Sequence, residues 1–175
     1  MGKVDVNSKK HTDAVHTLKK IWQVDTTLPK YESIHHCQVT NHHLVVFLDS
    51  SPVEARKTLQ DKVTATTLLE NYNIHFVQTK DLSDNDTRKS KQIIGRKIED
   101  LLNIASLERG SHTTNACGTG ACAATTLVKE SGFLAEGDWA AVDSPGGRVY
   151  VKLSSEACVN LTGPATFVFS GRFNL

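Results

Sequence analysis

The chain has 175 residues, of which 39% are hydrophobic and 22% charged, and its 20 Lys and Arg against 19 Asp and Glu leave a formal net charge of +1. That balance gives no electrostatic reason to bind nucleic acid or an anionic membrane. No apolar run approaches the ~20 residues of a membrane helix, and the polar start MGKVDVNSKKH does not read as a secretion leader, so the expected location is the cytoplasm. The length suits one domain, or one domain with a ragged extension. The cysteines Cys37, Cys117, Cys122 and Cys158 show no zinc spacing, and the chain is longer than a typical disulfide scaffold, so each is read as an individual thiol.

In chain order, Ala14, Leu18, Ile21 and Trp22 recur at helical spacing and predict a short helix over His11–Trp22. β-Branched and aromatic residues predict strands over Ile34–Thr40 and His43–Asp49. Ser50-Ser51-Pro52 then signals a capped helix start, whose apolar face runs through Val53, Ala55, Leu59 and Val63. Asn73–Thr79 reads as the next strand. The charged stretch KDLSDNDTRKSK is expected to be a solvated loop, and KQIIGRKIEDLL either helical or a pair of strands. A helix starting near Gly118 carries Ala121, Cys122, Ala123, Ala124, Leu127 and Val128, apolar nearly all round, with Gly132 placed as its C-terminal cap. Strands follow at Trp139–Asp143, Arg148–Leu153, Ala157–Leu161 and Thr166–Phe169, the first two joined by a Ser144-Pro145-Gly146-Gly147 turn. Strands, one buried helix, then more strands predict an α+β domain, with sheet wrapped around the helix.

The chemistry concentrates in Glu108-Arg109-Gly110 and Ala116-Cys117-Gly118-Thr119-Gly120-Ala121-Cys122. Glycines 118 and 120 let backbone approach a ligand, and the free amides of a helix start favour a carboxylate. The same field is expected to lower the pKa of Cys117 and make it a usable base. The plain alternative is a core thiol at a tight turn.

ERG…ACGTGACAA resembles the active-cysteine motif of the diaminopimelate epimerase family. Four further stretches match it in order: Asn41-His42-His43 before LVVFLD, Asn73-Ile74-His75-Phe76-Val77-Gln78, Ser144-Pro145-Gly146-Gly147-Arg148, and Leu161-Thr162-Gly163-Pro164-Ala165. The resemblance covers residues 36–175, leaving 1–35 as a polar extension or the remnant of a preceding domain. It implies a mixed, curled sheet around a central helix, and cofactor-independent inversion of an amino-acid α-carbon (LL- to meso-diaminopimelate) by two thiols, with no metal. It makes Cys117 one of those thiols, with His43 and Glu108 beside it in the catalytic group. Gly118 and Thr119 would hold the α-carboxylate, and Asn41, Asn73, Glu108 and Arg109 would bind the rest of a small amino-acid substrate. Each has an ordinary alternative: a turn asparagine, a strand-end charge pair, a satisfied histidine.

The departures are specific. The family's Asn-Pro-His reads Asn41-His42-His43, its Gly-Glu-Thr reads His112-Thr113-Thr114, and about 31 residues lie between Phe76 and Glu108, as if 80–100 were inserted. No counterpart of the cysteine motif of the family's N-terminal domain occurs in residues 1–35. Inversion needs an acid on one face of the carbon and a base on the other. The resemblance therefore implies a partner domain or chain that carries the other cysteine, with a homodimer as one arrangement. Two further readings stay open: a non-catalytic amino-acid-binding or regulatory module, and an epimerase or racemase of another amino acid.

Overall fold

A computed structural model describes residues 4–6, 11–25, 28–130, 139–154 and 158–173. Along the chain run β1 (Val4–Val6), α1 (Thr12–Val24), β2 (Tyr31–Val39), β3 (Asn41–Leu48), α2 (Pro52–Thr64), α3 (Leu68–Asn71), β4 (Tyr72–Lys80) and α4 (Asp84–Ile94). Then come β5 (Asp100–Glu108), β6 (His112–Thr114), α5 (Gly118–Glu130), β7 (Trp139–Ser144), β8 (Gly147–Leu153) and β9 (Val159–Thr162). One sheet has the order β1-β2-β3-β4-β5-β7-β8-β9, with β6 added to β5. The β3–β4 and β5–β7 pairs are parallel and the others antiparallel, so this is a mixed α+β fold.

Strand alternation sends neighbouring side chains to opposite faces, and each face has its own core. Cys37, Val45, Val77, Leu102, Val142 and Val151 bury α5. Ile34, Leu44, Val46, Ile74 and Phe76 on the other face bury Leu18 and Trp22 of α1 and Leu59 and Val63 of α2. The 35/36 boundary drawn from the sequence falls inside β2.

Gly118, Gly120, Thr125 and Thr126 are weak helix formers, so α5 owes its stability to burial rather than propensity. Every residue from Gly120 to Val128 is buried, and the Thr125 and Thr126 hydroxyls bond back to the carbonyls of Ala121 and Cys122. α5 touches β2 near one end of the strand order and β9 at the other, which curls the sheet into a half-barrel around it. Its expected cap, Gly132, lies outside the described residues.

Two expectations change. The supposed loop over 80–91 is mostly α4, because Ser83 and Asp86 form a reciprocal capping box and Gly95 closes the helix in the left-handed conformation. Thr166–Phe169 is not a strand: it pairs with no described strand, and Phe167, Val168 and Phe169 are exposed.

Candidate active site

The candidate site lies where β5 ends, β3 and β4 begin, and α5 starts. Cys117 caps α5, its carbonyl accepting the first intrahelical bond from Ala121 N at 2.9 Å. The loop before it is gripped from the β7–β8 turn, where Gly146 N donates to Asn115 O at 2.7 Å. A Cβ at Gly146 would sit 3.1 Å from that oxygen, so the close approach favours glycine. Thr119 Oγ1 stands 3.6 Å from Cys117 Sγ. Glu108, held by the Thr114 hydroxyl, also reaches the thiol.

The thiol is half-buried, and its acidity runs opposite to the sequence expectation. Burial raises its pKa to about 11; Thr119 and the Gly120 amide pull it down, whereas the Glu108 carboxylate pushes it further up. The helix-start groups act in the expected direction, but they lose to desolvation and a neighbouring negative charge. At neutral pH this thiol is held in its protonated form.

Behind Cys117 runs a buried relay. Val39 O lies 3.4 Å from His43 Nε2, His43 Nδ1 lies 2.8 Å from His75 Nε2, and His75 Nδ1 lies 2.8 Å from Ser106 Oγ. One assignment satisfies the whole row with both rings neutral: His43 donates to Val39, His75 to His43 and Ser106 to His75. Burial lowers His75 well below its ordinary value, with His43 adding to the effect. Burial also lowers His43 to about 4; the Val39 carbonyl and Glu108 oppose that shift, and His42 adds to it. The unfolded chain therefore takes up protons near 6.5 that the folded relay refuses, and stability is lost as pH falls from 6.5 through about 4. The expected slope is up to about 1.4 kcal/mol per pH unit for each histidine. Urea melts at stepped pH check this, and His75→Gln should flatten the slope.

The site residues expected from the sequence do not all converge. Thr119 and Glu108 meet at the Cys117 sulfur, Gly118 lines the cavity beside it, and the Glu108 charge also acts on His43. Asn73 is buried, and its Oδ1 accepts from Arg109 N at 2.9 Å, which shapes the β5–β6 hairpin. The Arg109 side chain is exposed, as is Asn41 at the start of β3. A cavity of about 170 Å³ opens beside the thiol, lined by Cys117, Gly118, Ser144, Arg148, Gly163 and Pro164 among others. Its lining draws together the Ser144–Arg148 and Leu161–Ala165 motifs. Sequence reasoning missed His75 and Ser106 as site residues, and it read Gly120 only as opening the backbone to a ligand, whereas that glycine also makes room for the His75 ring. Strand parity offered a signal for His75, because His43 and Asn73 are register partners and His75 is two residues further on the same face.

The sequence model of the family described as diaminopimelate epimerase matches residues 36–168. A diaminopimelate epimerase from Neisseria meningitidis is 41% identical over 80 residues, covering 46% of this chain and 27% of the relative. Another, from Thioalkalivibrio sulfidiphilus, is 49% identical over 70 residues, or 39% of this chain and 24% of the relative. The chain thus spans about a quarter of the length of these curated relatives. A solved structure described as a predicted epimerase from Pseudomonas aeruginosa matches the fold with a TM-score of 0.52 at 13% identity, over 97% of this chain and 57% of the other. On the extent of the sequence match, and with the family's motifs gathered around Cys117, the chain belongs to the diaminopimelate epimerase family.

Proposed function

We propose that this chain forms one face of a cofactor-independent epimerase site for diaminopimelate, with Cys117 as one of two thiols on opposite sides of the substrate α-carbon. The observation that carries the reading is the meeting of Glu108, Thr119 and the Gly118–Gly120 helix start at a single sulfur beside a cavity. The amides of that helix start suit an α-carboxylate, and they stabilise it further as negative charge develops on deprotonation. A base on the far side takes the α-hydrogen as a proton, and Cys117 S–H delivers a proton to the near side, leaving its own thiolate for the reverse direction. Asn41 and Arg109, exposed beside the site, contact the far end of the substrate, and Asn73 holds the Arg109 backbone for that purpose.

No described thiol is placed to oppose Cys117. Cys37 and Cys122 are 0% exposed in the α5 core, and Cys158 lies beside Ser154, at the other end of β8 from Arg148. The second thiol in this reading comes from another domain or another polypeptide.

The burial-raised thiol favours a second reading, a module that binds an amino acid without acting on it. Incubation with LL- or meso-diaminopimelate in D2O, followed by NMR of the α-hydrogen, separates the two. The first reading expects slow exchange with retention and, once a chain bearing the opposing cysteine is added, inversion. Saturable binding by calorimetry with no exchange selects the second. Neither exchange nor binding overturns both.

A further inference from the structure

On the sheet face turned away from Cys117, three histidines from distant parts of the chain come together. His11 precedes α1, His36 lies on β2 and His42 on β3, and one ring nitrogen of each lies within 4.8 Å of the others. His36 Nε2 is 3.1 Å from His42 Nδ1. The His11 ring stacks on His36 with centroids 3.9 Å apart and stands 4.4 Å from that of His42. We propose that His11, His36 and His42 form a binding site for a divalent first-row metal ion, zinc foremost, separate from the epimerase chemistry.

The donor set fits. Imidazole nitrogens suit zinc, copper and nickel, and a three-histidine set leaves a fourth position for water or another ligand. Tetrahedral zinc, with Zn–N of ~2.0–2.1 Å, holds its nitrogens roughly 3.3–3.4 Å apart, close to the His36–His42 separation already present. The third ring, stacked on His36, must unstack and turn one nitrogen inward, which its half-exposed place ahead of a helix rather than inside a strand allows. Tyr72, the register partner of His42 on β4, bonds through its hydroxyl to His11 Nδ1 at 2.6 Å. Ligating histidines are commonly fixed in orientation by such an outer hydrogen bond.

Position argues for a separate role. His36 and His42 share strand parity with Ile34 and Leu44, which face α1 and α2, while Cys37, His43 and His75 lie on the α5 face. An ion there would tie the residue ahead of α1 to two strands of the sheet, which predicts stabilisation by metal binding. His42 is also the residue that replaces proline in the family-like Asn41-His42-His43 stretch, a departure that the proposed function leaves unexplained.

The test uses the untagged full chain, stripped with chelator and dialysed, and titrated with zinc alone by calorimetry. One equivalent should bind and raise the melting temperature, and cobalt should give the visible absorption of a low-symmetry nitrogen site. His11→Asn and His42→Gln should each weaken zinc binding more than the about 10–100-fold typical of losing an outer-shell partner, whereas Cys117→Ser should leave it unchanged. His11→Asn changes a half-exposed side chain, so it remains informative if His42→Gln does not fold. Absence of zinc binding by the wild-type chain, equal binding by His11→Asn, or loss of binding in Cys117→Ser would each overturn the site. None of these readouts depends on epimerase activity.

Discussion

Cys117→Ala is expected to abolish exchange of the substrate α-hydrogen while leaving the fold intact. The side chain is half-buried at the lip of a cavity, so removing one sulfur costs about 1 kcal/mol of stability, within the ordinary range for a point change. The chemical loss is larger. Positioned acid–base groups contribute about 10²–10⁴-fold, and no described thiol stands where it could substitute. Cys117→Ser should be as inactive, because a hydroxyl is a far weaker acid than a thiol even when that thiol is held at about 11. Glu108→Gln gives a contrasting result. It removes the carboxylate that helps to push the thiol up, so the thiolate should appear at lower pH. Alkylation of Cys117 followed against pH reads that shift without any substrate. In the same experiment Cys117 should label before Cys37 and Cys122, which share no exposed surface with solvent. Full exchange activity in Cys117→Ala would remove the sulfur from the mechanism altogether.

The elements legible in the sequence were those whose local chemistry and tertiary surroundings agree. Ser51 and Pro52 announce α2, and the structure places the Ser51 hydroxyl on Glu54 N with Pro52 in the first turn. The all-round apolar stretch after Gly118 announces a buried helix, and the strands needed to bury it are present on both sides. α4 was legible too, in Ser83, Asp86 and Gly95, but its charge density reads equally as a loop and masked the caps. Thr166–Phe169 failed for the opposite reason. Its β-branched and aromatic residues satisfy local preference, but a strand also needs an edge to pair with, and local sequence carries no information on that.

The site divides in the same way. That Cys117 stands at a glycine-flanked helix start could be read from its neighbours. Its acidity could not, because that depends on how much water the folded loop excludes and on Glu108 arriving from β5. The His43–His75–Ser106 row is likewise a product of register: three strands each contribute one polar side chain to the α5 face, and no linear pattern marks them as a unit.

Gly120→Ala is expected to be the most damaging single-methyl change near the site. A Cβ at this position would lie 2.3 Å from His75 Cε1 and 2.7 Å from each ring nitrogen, closer than real contacts allow. The ring cannot step aside cheaply, because His43 holds one nitrogen and Ser106 the other. Either the relay breaks or the first turn of α5 lifts away from the sheet. Overpacking of this kind costs about 1–3 kcal/mol, and a buried ring nitrogen left without its partner adds about 1–3 kcal/mol more. Lifting α5 would also move the Gly118 and Thr119 amides, so the proposed binding of diaminopimelate should weaken along with stability. Gly95→Ala supplies the comparison: its φ of 67° strains any side chain, but a Cβ there meets open space, so its cost should stay near 1 kcal/mol. His75→Ala placed in the Gly120→Ala background removes the ring that the new methyl strikes, so the two losses should fall well short of additive. Urea unfolding of Gly120→Ala, Gly95→Ala, His75→Ala and the Gly120→Ala/His75→Ala double variant measures all of this. A Gly120→Ala chain within about 0.5 kcal/mol of wild type, the range of ordinary surface changes, would mean that α5 does not press on His75 as described.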